Sequence, residues 1–80
     1  MSYSSADVAS QAKDISAIAK VVPQCSLALS TNKRAVICCL SIIAARELKL
    51  VLTRAGYFSE VAKGLVSDRQ YVCAYFNNPY

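Results

Sequence analysis

Apolar residues recur at steps of three and four over two long stretches of the chain, a spacing that predicts helices. In the first stretch Val8, Ala12, Ile15, Ala19 and Val22 form one stripe, with Asp7, Gln11, Lys13 and Asp14 on the other side. Ser4-Ser5-Ala6-Asp7 fits a capping box with Ser4 as the cap, and Tyr3 and Val8 fit its hydrophobic staple. Pro23 ends this helix, because proline pushes the preceding residue out of the helical region. The expected element is a helix over 4–22.

The second stretch, residues 35–55, is the one around which the rest is expected to pack. Residues 35–45 carry no charge, and Ile37, Leu40, Ala44, Leu48, Val51 and Ala55 continue one helical face through them. Val36 to Ile43 is rich in β-branched residues and also suits a buried strand. The unbroken spacing into 46–55 favours a single central helix. Gly56 supplies its C′ residue, with Tyr57 placed against Leu52 in a Schellman-type stop.

The remaining segments are shorter. Cys25-Ser26-Leu27-Ala28-Leu29 suits either a short helix or an extended piece, and Ser30-Thr31-Asn32 is a turn. Ser59 can cap a third helix with Val61, Ala62, Leu65 and Val66 on its apolar face. Ser67-Asp68-Arg69-Gln70 is a second capping box opening a fourth helix over 68–76, with Val66 and Tyr71 as its staple. The expected architecture is a single all-α domain over 1–80: a bundle of three or four helices around the central apolar helix.

Composition adds one constraint. Of 80 residues 55% are apolar and only 18% are charged, well below the usual quarter. So sparse a charged coat leaves apolar surface over for a protein partner or a second copy. The net charge is +4, which permits attraction to nucleic acid or an acidic partner and requires neither. Lys33, Arg34, Arg46, Lys49 and Arg54 give the central helix a basic side and are the candidate partner-binding residues.

The candidate chemistry is thin. The chain has no histidine, so neither a Ser-His nor a Cys-His nucleophile pair can form. Its five acids are scattered, and its two glycines, Gly56 and Gly64, make no phosphate loop. No enzymatic activity and no cofactor is expected. Cys25, Cys38, Cys39 and Cys73 contain no Cys-x-x-Cys, so no metal site is expected. They read as small buried residues in a reducing, intracellular compartment. The alternative is one disulfide from Cys25 or Cys73 to one of the adjacent pair. The longest uncharged apolar run is about eleven residues, short of the roughly twenty that span a bilayer.

One motif points to a ligand. Residues 58–77 resemble a helix-turn-helix unit of the bacterial repressor kind, with Val61, Ala62, Leu65, Val72 and Tyr75 at its buried positions. The resemblance implies a recognition helix over 68–76 lying in the major groove. Lys63 is then expected on phosphate, and Arg69, Gln70, Cys73 and Ala74 toward the bases. Two functions follow: a small non-catalytic interaction module that buries apolar surface against a partner or itself, or a small DNA-binding regulator.

Overall fold

The computed structural model describes residues 5–63 and 69–77, and side chains from residue 8 onward except that of Lys63. The chain is not all-α. Two helices, α1 (Ser5–Val21) and α2 (Ile42–Arg54), alternate with two pairs of strands: β1 (Cys25–Ser30) and β2 (Arg34–Cys39), then β3 (Phe58–Lys63) and β4 (Gln70–Tyr75). The strands form one antiparallel sheet in the order β1-β2-β4-β3.

These pairings make β2 and β3 parallel to each other, joined through α2, with β4 inserted between them. That is a split β-α-β unit. A second such unit needs α1 to follow β4, and the chain ends hold them in that relation. Gln11 accepts the Asn77 backbone N–H through Oε1 at 2.6 Å and donates through Nε2 to the Asn77 carbonyl at 3.3 Å. The element order is thus the β-α-β-β-α-β arrangement shifted cyclically by one, with the first strand moved to the end.

The first helix forms as its pattern predicts. Ile15, Ala19 and Val22 are buried, and Val8 and Ala12 pack partly against the same core. The Ser4–Asp7 capping box falls on residues whose side chains are not described. At α2 the expectation splits. The helix begins at Ile42, not near residue 35, because Ser41 is extended (φ −149°, ψ 158°) and caps it, accepting the Ala44 N–H at 3.1 Å. Upstream of that cap the run Ala35-Val36-Ile37, with its two β-branched residues, is strand. Its alternation puts Ala35, Ile37 and Cys39 in the core and leaves Val36 and Cys38 half-buried on the far side.

The helix ends as its sequence predicts. Gly56 N–H donates to the Thr53 carbonyl at 3.0 Å and Tyr57 N–H to that of Leu52 at 2.9 Å, the two bonds of a Schellman motif, with Gly56 at φ +91°.

The third and fourth helices are replaced by the β3–β4 hairpin. Val61 faces Val72, which faces Ile37, so one row of β-branched side chains crosses three strands. Tyr71, Val72 and Tyr75 favour the pleated conformation over a helix. Of the recognition helix expected over 68–76, the described residues 69–76 form no helix, and Gln70–Tyr75 is strand. Gly64, Leu65, Val66 and the first two residues of the Ser67–Gln70 capping box lie outside the described residues. Ser59, expected to cap a helix, sits on β3 with its hydroxyl buried and without a partner among the described residues, a cost of about 1–3 kcal/mol.

Helices and sheet make two layers around one core. α2 supplies Ala44, Ala45, Leu48 and Leu52. Val72 and Ala74 line the sheet beneath, and Tyr57 and Phe76 close the core's edge. The buried Tyr57 hydroxyl donates to the Asp14 carboxylate of α1 at 2.7 Å. Burial, then this bond, push the phenol up from 10.0 to about 12. The fold therefore holds the neutral phenol, a stabilisation complete below pH 10 and lost as the pH rises through 12. In urea unfolding the wild type is expected to lose on the order of 2 kcal/mol through this phenol across that interval. Tyr57→Phe should lose less over that interval by about this amount, since the buried Cys39 thiol contributes equally to both proteins, and at neutral pH it should be weaker by about 1 kcal/mol. Parallel pH curves for the two proteins would contradict this.

Candidate interaction surface

Among the described residues the sheet has one covered face, two edges and one uncovered face. The edges are unequal. β3 carries Glu60 and Lys63, the kind of charge that discourages further pairing. β1, Cys-Ser-Leu-Ala-Leu-Ser, has no charge, and five of its six residues are exposed. Leu27 is 41% and Leu29 58% exposed.

Local chemistry sets β1 in place. Gln24 enters it at φ 70°, a left-handed conformation uncommon outside glycine. The Gln24 carbonyl accepts Leu40 N–H at 3.1 Å, and its Oε1 accepts the Ser41 hydroxyl at 3.1 Å. At the other end the Thr31 hydroxyl accepts the backbone N–H groups of Lys33 and Arg34, both at 3.1 Å. The register with β2 shifts between Leu27 and Leu29. This bulge turns Leu27 toward the helices and Leu29 toward the open face.

The uncovered face is built of cross-strand rows. Arg34, Tyr75 and Phe58 form one, Val36, Cys73 and Glu60 the next, and Cys38, Tyr71 and Ala62 a third. The rings of Phe58 and Tyr75 lie 5.7 Å apart, and the Tyr75 hydroxyl donates to the Glu60 carboxylate at 3.1 Å.

This framework separates the basic residues expected to act together. Lys33 lies in the β1–β2 turn and Arg34 on the uncovered face. Arg46, Lys49 and Arg54 are exposed on α2, in the opposite layer. They form no single strip. The second set divides as well. Arg69 is exposed just before β4, Gln70 is half-buried on the helix-facing side, and Cys73 is on the uncovered face. Ala74 is fully buried in the core, out of reach of any ligand. Lys63 ends β3.

What the sequence reading missed is the β1 edge. Its signal was present: five uncharged residues between the Pro23-Gln24 and Ser30-Thr31-Asn32 turn signals. Its position at the sheet margin follows only from the strand order.

The chain matches no family model, and no curated protein and no solved structure matches it. No described helix is long and apolar enough to cross a membrane. Function therefore has to be argued from the surface itself.

Proposed function

We propose that the chain is a small non-catalytic interaction module that pairs through β1 with β1 of a second copy. The observation that carries this is the edge strand Cys25–Ser30, uncharged and exposed, while the opposite edge is guarded by charge. An unguarded apolar edge is a template for another strand. A strand of this composition suits an antiparallel copy of itself: two copies related by a two-fold axis bring leucines and serines together with no like charges opposed.

A six-residue seam alone is small against the roughly 1,200–2,000 Å² of a stable interface. The flanks add to it. Leu27 and Leu29 project to the two sides of the seam. α1 packs above β1, so the α1 helices of the two copies approach across the axis. Ala17 and Val21 are both exposed on α1, Val21 at 74%.

The uncovered face does not favour nucleic acid. Glu60 stands in its middle row and holds the Tyr75 hydroxyl, and a carboxylate there repels phosphate.

Sedimentation equilibrium of the whole chain tests the pairing. The wild type is expected as a dimer at micromolar concentration, and Leu29→Lys is expected to weaken self-association at least about tenfold (~1.4 kcal/mol) with its circular dichroism unchanged. A wild type that stays monomeric at high concentration overturns the proposal. So does a dimer indifferent to Leu29→Lys and to Leu27→Lys.

A further inference from the structure

We propose that Cys25 and Cys39 are a reversible dithiol–disulfide site that staples the β1 edge to β2. The two residues are direct cross-strand partners, and their sulfurs lie 2.9 Å apart. The neighbouring pair Gln24 and Leu40 is joined by a backbone hydrogen bond. By the alternation of an antiparallel ladder, Cys25 and Cys39 then form a non-hydrogen-bonded pair, with Cα atoms about 4.5 Å apart. That separation is inside the disulfide range. The Gln24–Ser41 hydrogen bond fixes the entry to β1 beside this pair.

The other thiols are excluded by the same register. Cys38 is adjacent to Cys39 in sequence but points to the opposite face of the sheet. Cys73 faces Val36 and Cys38 faces Tyr71, so those two cysteines are diagonal neighbours roughly 7–8 Å apart. A bridge there would require backbone movement.

The chemistry is a thiol–disulfide exchange with a small-molecule disulfide of the oxidised-glutathione class as oxidant. Half-buried Cys25 gives up its proton and attacks one sulfur of that molecule, forming a mixed disulfide and releasing one thiol. Cys39 then loses its proton and attacks the Cys25 sulfur, expelling the second thiol. Two protein thiols are oxidised and one external disulfide is reduced to two thiols. Cys39 is the second to react because it is fully buried. Its surroundings also hold it protonated: desolvation, then the hydrogen bond to Cys25, push its thiol far up. The inference does not rest on the edge pairing proposed above.

The test treats the reduced full-length chain with oxidised glutathione and reads intact mass, tryptic peptides and Tm. Expected is the loss of two hydrogens with no retained glutathione, and the same loss in a Cys38→Ser/Cys73→Ser double variant. Cys25→Ser should lose none. The bridge closes a loop of about fifteen residues, so the oxidised protein should melt roughly 10–20 °C higher. The proposal is overturned if the double variant keeps its two hydrogens or if the bridged peptides contain Cys73. A lower Tm on oxidation overturns it too, because the fold would then have to distort to form the bond.

Discussion

Replacing Leu48 with alanine is expected to destabilise the domain by about 3 kcal/mol and to lower its Tm by roughly 15 °C. Leu48 is fully buried near the middle of α2, in one cluster with Ile37 of β2, Val72 of β4 and Ile15 of α1. Truncation there loses the transfer energy of the side chain and leaves a cavity that four separate elements would have to close. A domain of 80 residues has only about 4–12 kcal/mol of stability to lose. Leu50 provides the control. It is on the same helix, two residues on, and 60% exposed, so Leu50→Ala should stay within about 0.5 kcal/mol. Thermal unfolding followed by circular dichroism reads both. Equal losses would mean that α2 does not present the 44–45–48–52 face to the sheet.

The helix was legible in the sequence from Ala44 onward, and its face in part: Ala44 and Leu48 are buried as expected, while Ala45 and Leu52 take the places expected of Val51 and Ala55, and the expected Leu40 is exposed ahead of the helix. The buried stripe of α1 was legible from Val8 to Val22. In both, apolar positions alternate with charged ones on a true helical period, and proline or glycine marks the stop. The first two strands were legible only as alternatives, an extended piece at 25–29 and a buried strand at 36–43, and the last two not at all, and the reason is physical. A strand with one face in water normally shows polar residues at every second position. Here the uncovered face of the sheet is itself apolar, through Val36, Cys38, Cys73 and Tyr75, so the alternation is hidden. Small residues such as Ala35, Cys39 and Ala74 further blunt the contrast.

The helical spacing of Ile37 with Ala44 and Leu48 is real, but it arises differently. Ile37 reaches the common core from the sheet and the other two from the helix, with Ser41 turning the chain between them. The same coincidence accounts for residues 58–77. Val61 and Val72, which fit buried positions of two crossed helices, are cross-strand partners in a hairpin instead, with Val72 in the core and Val61 exposed on the edge strand. The basic residues could not be grouped correctly for a further reason. Whether Arg34 and Arg46 share a surface depends on which side of the sheet each occupies, and that is fixed only when the strands have paired.

Two adjacent arginine substitutions separate the strand from the helix directly. Ala74→Arg is expected to prevent folding. Ala74 is fully exposed to the core and closed to solvent, flanked by Ala35 on β2 and Ser59 on β3. A guanidinium there overfills the packing and is buried without a partner, each costing several kcal/mol against a small total. Cys73→Arg, one residue earlier, should cost about 1 kcal/mol or less. Its side chain lies on the uncovered face directly across from Glu60, where an opposite charge gives modest support. Had residues 68–76 formed a recognition helix, both positions would have faced DNA and both arginines would have been tolerated. Far-UV circular dichroism and amide-proton dispersion distinguish the outcomes. A folded Ala74→Arg protein would remove β4 from its place beside β2. An unfolded one, paired with a folded Cys73→Arg, is what a two-sided strand requires, because successive side chains of a strand enter opposite environments.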